Sequence, residues 1–249
     1  RPEERAPRGP VPDGSERQGM NDLLSWKNRL TTTLSMELLA AVSGLALVGF
    51  IFGHLGGNFL LFLGPEAFNA YAEHLQALGP LLWLARGGLL AAAAAHISMT
   101  VWLKLRNRAA RGGAAYAVSA RAAGRAVGTR TMIYTGVMIA CFVLLHVCDF
   151  TLSDKTGPRS VVNGESLHLY GVVFNGFANP VRSLLYIVAV WAVGLHFTHV
   201  ISSFWVTLGI LSDRATRLVD RAARAAGILV ALSFTSIPVF ILIKAHFLG

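Results

Sequence analysis

The stretch "FIFGHLGGNFLLF", residues 50–62, decides how the rest of the chain is read. It is apolar almost throughout, yet His54 sits inside it. Gly53, Gly56 and Gly57 flank that histidine, and Gly49 lies just upstream. The apolar run continues to both sides, from about residue 35 to 63. A helix needs about 20 apolar residues to cross a bilayer, so this run is long enough. Four more runs of this kind lie at about 82–104, 131–152, 182–211 and 222–247, and Pro238 is a predicted kink in the last. The pattern predicts an all-α membrane bundle of five transmembrane helices spanning one domain, 31–249, after a disordered segment, 1–30. Met20 is a candidate natural start within that segment, which shows no secretory signal. Composition agrees: 54% of residues are hydrophobic and 14% charged. A soluble domain carries roughly 25% charged residues.

The net charge of +9 does not point to nucleic acid. The cations cluster between the apolar runs, as topology signals do. Of 22 Lys and Arg residues, 17 precede the first run or fall between runs two and three or four and five. Arg86, Lys155, Arg159, Arg182 and Lys244 make up the rest. By the positive-inside rule the N-terminus is cytoplasmic and the C-terminus outside. Cys141 and Cys148 stand two helical turns apart, about 10 Å, too far for a disulfide.

Two outer connections carry structure of their own. "GPEAFNAYAEHLQALGP", residues 64–80, repeats apolar residues at helical spacing and predicts a helix lying on the membrane surface. The connection from 152 to 180 is long, Gly-rich and aromatic, which marks a functional or capping loop.

Histidines inside lipid are costly and functional as a rule. Four runs carry them: His54, His96, His146 and the pair His196/His199. At about 1.5 Å of rise per residue, His54 and His146 fall in an outer layer and His96 and His196 in an inner one. Two histidines at one depth are what a six-coordinate haem iron needs. Zinc needs three or four converging ligands. Asp149, one turn after His146, is a candidate third, but the inner layer has no counterpart. The reading is two b-type haems, and the absence of C-x-x-C-H excludes covalent attachment. Gly49, Gly53, Gly56, Gly57, Gly88 and Gly194 either clear space for a flat ring or let helices approach. His199, one turn after His196, is a rival ligand or a hydrogen-bond donor.

The segments "LLAAVSGLALVGFIFGHLGGNFLLFLGPEAFNAYAEHL", "LLWLARGGLL" and "HISMTVWLKLRNRAAR", with "LLHVCDF" and "LHFTHVISSFWVTLG" further on, resemble one family. It is the cytochrome b membrane anchor of succinate dehydrogenase and fumarate reductase, in its single-chain, five-helix, dihaem form. The resemblance covers roughly residues 35–210. It implies His54 and His146 as ligands of the distal haem and His96 and His196 as ligands of the proximal one. It also implies a flavoprotein partner with FAD, a partner with iron–sulfur clusters, a quinone substrate (menaquinone expected) and a bacterial inner membrane. Arg86 and Arg182 become candidates for the haem propionates, and Glu66, Glu73 and His74 for the quinone site. Some members have a glutamate two residues before the fourth ligand for transmembrane proton movement. Gly194 stands there, so no such path is expected. Two alternatives stay open: a cytochrome b of a hydrogenase or formate dehydrogenase type of complex, and a haem-free transporter or anchor.

Overall fold

The computed structural model describes residues 33–110, 120–207 and 213–247. The segment 1–30 therefore lies outside the described residues. Among the described residues the chain is helical almost throughout, and five helices are long and apolar enough to cross a membrane. Helix α1, Thr33–Phe59, tightens into a 3-10 turn at Leu60–Leu63. Gly64 ends it at φ 106, a conformation glycine adopts at little cost, and Pro65 then opens α2, Pro65–Ala77. The device recurs at Gly79 (φ 53) before α3, Pro80–Ala110. Helix α4, Ala120–His146, runs straight into a π-helical turn at Val147–Thr151.

A 3-10 turn at Pro158–Ser160 leads into a hairpin of β1, Val161–Val162, and β2, Glu165–Ser166. Val161 pairs with Ser166 across an Asn163–Gly164 turn with positive φ at both residues. Helix α5, His168–Ala178, follows. Asn179 then caps α6, Pro180–Thr207: its Oδ1 accepts the N–H groups of Val181 and Arg182 at 3.0 and 3.1 Å. Helix α7, Asp213–Phe247, passes through Pro238 without interruption.

Two helices start earlier than their apolar runs. Helix α4 begins eleven residues before residue 131 and α7 nine before residue 222. Hydropathy marks lipid contact, whereas a helix ends only where a breaker stands. The stretch "ATRLVDRAARAAG", residues 215–227, has none before its last residue.

The buried core gathers at one end of the bundle. Leu61, Phe68, Phe150, Tyr170, Val172, Phe177, Tyr186 and Ile241 bring the 3-10 turn, α2, the π turn, α5, α6 and α7 together there. The predicted capping role of the 152–180 connection is therefore what the structure shows. Asn69 ties α2 to α5 by donating to the Leu167 carbonyl and accepting from the Tyr170 N–H. Lys244 reaches the Tyr170 hydroxyl at 3.3 Å and His246 the Ala178 carbonyl at 3.0 Å, so α7 docks on the same cap. We call this the capped end.

Below the cap, α6 and α7 form the tightest pair, and α3 leans on α1. The outer surface is apolar: Trp83, Leu84, Leu90, Tyr134, Leu144 and Val181 are 70–76% exposed. Such a surface suits lipid, not water. Trp83 and Trp102 each stack with an arginine, Arg86 and Arg106, at 5.0 Å. They lie nineteen residues apart on α3, about 29 Å at helical rise, which matches a hydrocarbon core of about 30 Å.

Candidate functional site

The geometry of the site follows from where the helices begin. Helices α3 and α6 both open on proline, Pro80 and Pro180. His96 and His196 each lie sixteen residues further on, about 24 Å down the axis. The two helices thus carry their histidines equally far from their first residues.

The ascending helices confirm a second level. His96 sits against α1: its Nδ1 is 2.9 Å from the Ala40 carbonyl, and a methyl at Gly44 would come within 3.0 Å of its ring. His196 sits against α4: its Nδ1 is 3.0 Å from the Thr135 hydroxyl, and Gly136 faces its Cε1. Gly44 is ten residues before His54, and Gly136 is ten residues before His146. Both helices therefore place the two levels about 15 Å apart.

At the capped end the structure brings His54 and His146 together. Their ring centroids are 5.6 Å apart and the rings are perpendicular, at 89°. Aromatic side chains surround them. Phe50 stacks on His54 at 5.3 Å and Phe234 lies at 6.1 Å. Phe142, Phe150 and Tyr186 lie 5.3–6.1 Å from His146. Nδ1 of His146 is buried with no hydrogen-bond partner. Leaving a buried polar atom bare costs about 1–3 kcal/mol, which pure packing does not explain.

The residues at this end fit a haem in the spacing of the two rings and in their apolar surround. Two imidazoles sharing one metal, each nitrogen about 2 Å from it, have ring centres about 6 Å apart. The aromatic surround suits a flat apolar macrocycle. At the far end the fit is in height and chemistry. The bonds of His96 and His196 run to different helices, α1 and α4, so the structure matches their depth without pairing the rings as it pairs His54 with His146. Among the described residues no group of three or more His, Cys, Asp or Glu gathers. The side chain of His199 lies outside the described residues.

Both carboxylate oxygens of Asp149 are taken by other side chains. Its Oδ1 receives the Arg182 guanidinium at 2.5 Å and its Oδ2 receives the Tyr186 hydroxyl at 2.8 Å. The π turn is what swings this buried carboxylate toward α6. Arg182, expected near a propionate, is thus held by Asp149, and Arg86 lies over Trp83. Burial, with Arg86 nearby, lowers the Lys155 ammonium below its ordinary value.

Glu66, Glu73 and His74 fall on the exposed face of α2, where His74 bonds the Ala70 carbonyl. A cleft of about 460 Å³ opens elsewhere, walled by Leu145, Val181 and Leu185 with Asp149, Asn179 and Arg182 at its polar side.

The glycines divide by use. A methyl at Gly49, Gly53, Gly56 or Gly88 would meet nothing within 4 Å. Gly57 seats the Tyr71 ring, 2.5 Å from where a methyl would stand. Gly194 serves the second of the two expected uses: a methyl there would come 2.5 Å from the Gly227 carbonyl oxygen and 2.8 Å from Ala231. It lets α6 and α7 touch, so a glutamate has no room at 194. Sequence reasoning passed over Gly44, Thr135 and Gly136. The repeated ten-residue interval from small residue to histidine was the signal that could have found them. Compared with family models, curated proteins and solved structures, the chain matches none.

Proposed function

We propose that the chain is the membrane-anchor cytochrome b of a succinate:quinone oxidoreductase, holding two b-type haems in a bundle with its N-terminus cytoplasmic. The single observation that carries this is the meeting of His54 and His146 from two helices, perpendicular and 5.6 Å apart, inside an aromatic surround. His54 and His146 would hold the haem at the capped end, and His96 and His196 the one about 15 Å below. When bound, each haem supplies a one-electron store, so the two levels form a relay between an iron–sulfur partner and a membrane quinone.

The chain's own residues set the conditions for that chemistry. The histidines offer imidazole nitrogens inside an apolar bundle. The Ala40 carbonyl and the Thr135 hydroxyl orient the inner rings. Asp149, Arg182 and Tyr186 lock α4 to α6 beside the outer pair. The cleft between Leu145 and Leu185 offers apolar walls and the Arg182 and Asn179 amides and guanidinium N–H groups to a quinone oxygen. That makes it a better quinone site than the exposed Glu66, Glu73 and His74. The flavoprotein and iron–sulfur partners, the lipid environment of a bacterial inner membrane and any higher oligomer belong to the same proposal.

Mild solubilisation from native membranes tests it. The expected preparation has about two haems and one flavin per chain, by pigment analysis against protein. Haem with no flavin-containing partner would move the chain to another respiratory complex, and a colourless preparation would remove the reading.

A further inference from the structure

The geometry points to Thr135 as the residue that positions His196, fixing the imidazole with its proton on Nδ1 and its lone pair on Nε2. This rests on the dihaem reading. Thr135 is buried, 5% exposed, and sits on α4 at the height of His196 on α6. Its Oγ1 lies 3.0 Å from the Thr131 carbonyl, 3.1 Å from the Met132 carbonyl and 3.0 Å from His196 Nδ1. A threonine hydroxyl has one proton to give and lone pairs to accept with.

Both carbonyls can only accept. The hydroxyl therefore gives its proton back along its own helix, as buried threonines in helices do, and receives the Nδ1 proton of the ring. Donation from Nδ1 leaves the lone pair on Nε2. His96 provides the parallel. Its Nδ1 faces the Ala40 carbonyl at 2.9 Å, which has no proton to donate, so there too Nδ1 carries the hydrogen. The lower level thus holds both its histidines as the same tautomer, one through a main-chain oxygen and one through a side chain. Only the second can be removed by mutation. The ring edge lies 3.7 Å from where a methyl at Gly136 would stand, an ordinary contact that alanine would also make.

A hydrogen bond donated from Nδ1 makes the imidazole a stronger base toward a metal and favours the oxidised state. Thr135→Val keeps the shape and removes the acceptor. Thr135→Ser restores it. The experiment is a redox titration of the complex as isolated, followed by visible absorbance, with low-temperature electron paramagnetic resonance of the oxidised samples. In T135V one of the two potentials is expected to rise and one low-spin signal to move, with the other component unchanged; in T135S both return to the wild-type positions. Loss of one haem in T135V with retention in T135S supports the same role. Two unshifted potentials and two unmoved signals in T135V overturn it while leaving the dihaem reading intact. A wild type that holds no haem overturns both.

Discussion

At the capped end, His54 and His146 meet ring to ring, packed among aromatic side chains from α6 and α7. At the far end, His96 and His196 each bond to the helix beside them. The contrast has a cause in the packing. The upper pair sits directly under a dense cap, where Leu61, Phe150, Phe177 and Tyr186 fix the helix ends and leave the rings little freedom. Among the described residues no such cluster covers the lower rings, whose positions come from hydrogen bonds and, for His96, from the space left at Gly44. One level is set by the core and the other by second-layer polar contacts, and the two should respond differently to mutation.

The largest effect separates the levels outright. His146→Ala and His96→Ala should each remove one haem of two, halving the reduced-minus-oxidised absorbance per chain, and the double variant should remove it all. If one single variant bleached both levels, they would not be independent sites.

Next come the glycines, which sharpen the comparison between packing and cofactor space. Gly194→Leu forces α6 away from Gly227 and should cost about 1–3 kcal/mol or more, read as a lower melting temperature in detergent. A methyl at Gly53 meets no protein atom within 4 Å, so Gly53→Ala should leave the melting temperature of the haem-free protein unchanged while lowering haem content. Equal melting losses in the two variants would erase the distinction.

A smaller effect tests the cap. Asp149→Asn weakens the bonds to Arg182 and Tyr186, at a cost of about 1–3 kcal/mol for the group left mispaired. Because Arg182 is partly exposed, the lower figure is expected. The loss should appear in the potential of the upper component and not the lower, since only His146 adjoins that network.

The smallest effect is local. The Thr156 N–H and hydroxyl, both 2.8 Å from Asp154, hold its carboxyl below the ordinary 3.8. A depressed carboxyl contributes above its unfolded value and loses that contribution as pH falls through the folded one. The turn at 154–157 should therefore be fully held above 3.8 and open progressively as pH falls below that through the lower folded value, seen as faster hydrogen exchange at Thr156 with no change in haem content.

Much of this was legible from residue order. Five spans follow from apolar runs, and Gly64–Pro65 and Gly79–Pro80 announce their own turns. The four histidines and their two heights follow from counting along helices, because rise per residue is fixed. Arithmetic along an axis, however, says nothing about azimuth. It could not show that Asp149 turns to Arg182 and Tyr186, since a π turn rotates the chain just there. Nor could it separate Gly194, which seats a neighbouring backbone, from Gly53, which seats nothing, because both look like small residues beside a histidine. The helices α4 and α7 start before their apolar runs, because the hydropathy signal stops where lipid contact stops and the hydrogen-bond ladder does not.

The most direct test is the electron paramagnetic resonance spectrum of the oxidised complex at low temperature. Two ferric low-spin signals are predicted, one of them strongly anisotropic, as the perpendicular rings of His54 and His146 require. A spectrum with no low-spin haem iron would contradict the account.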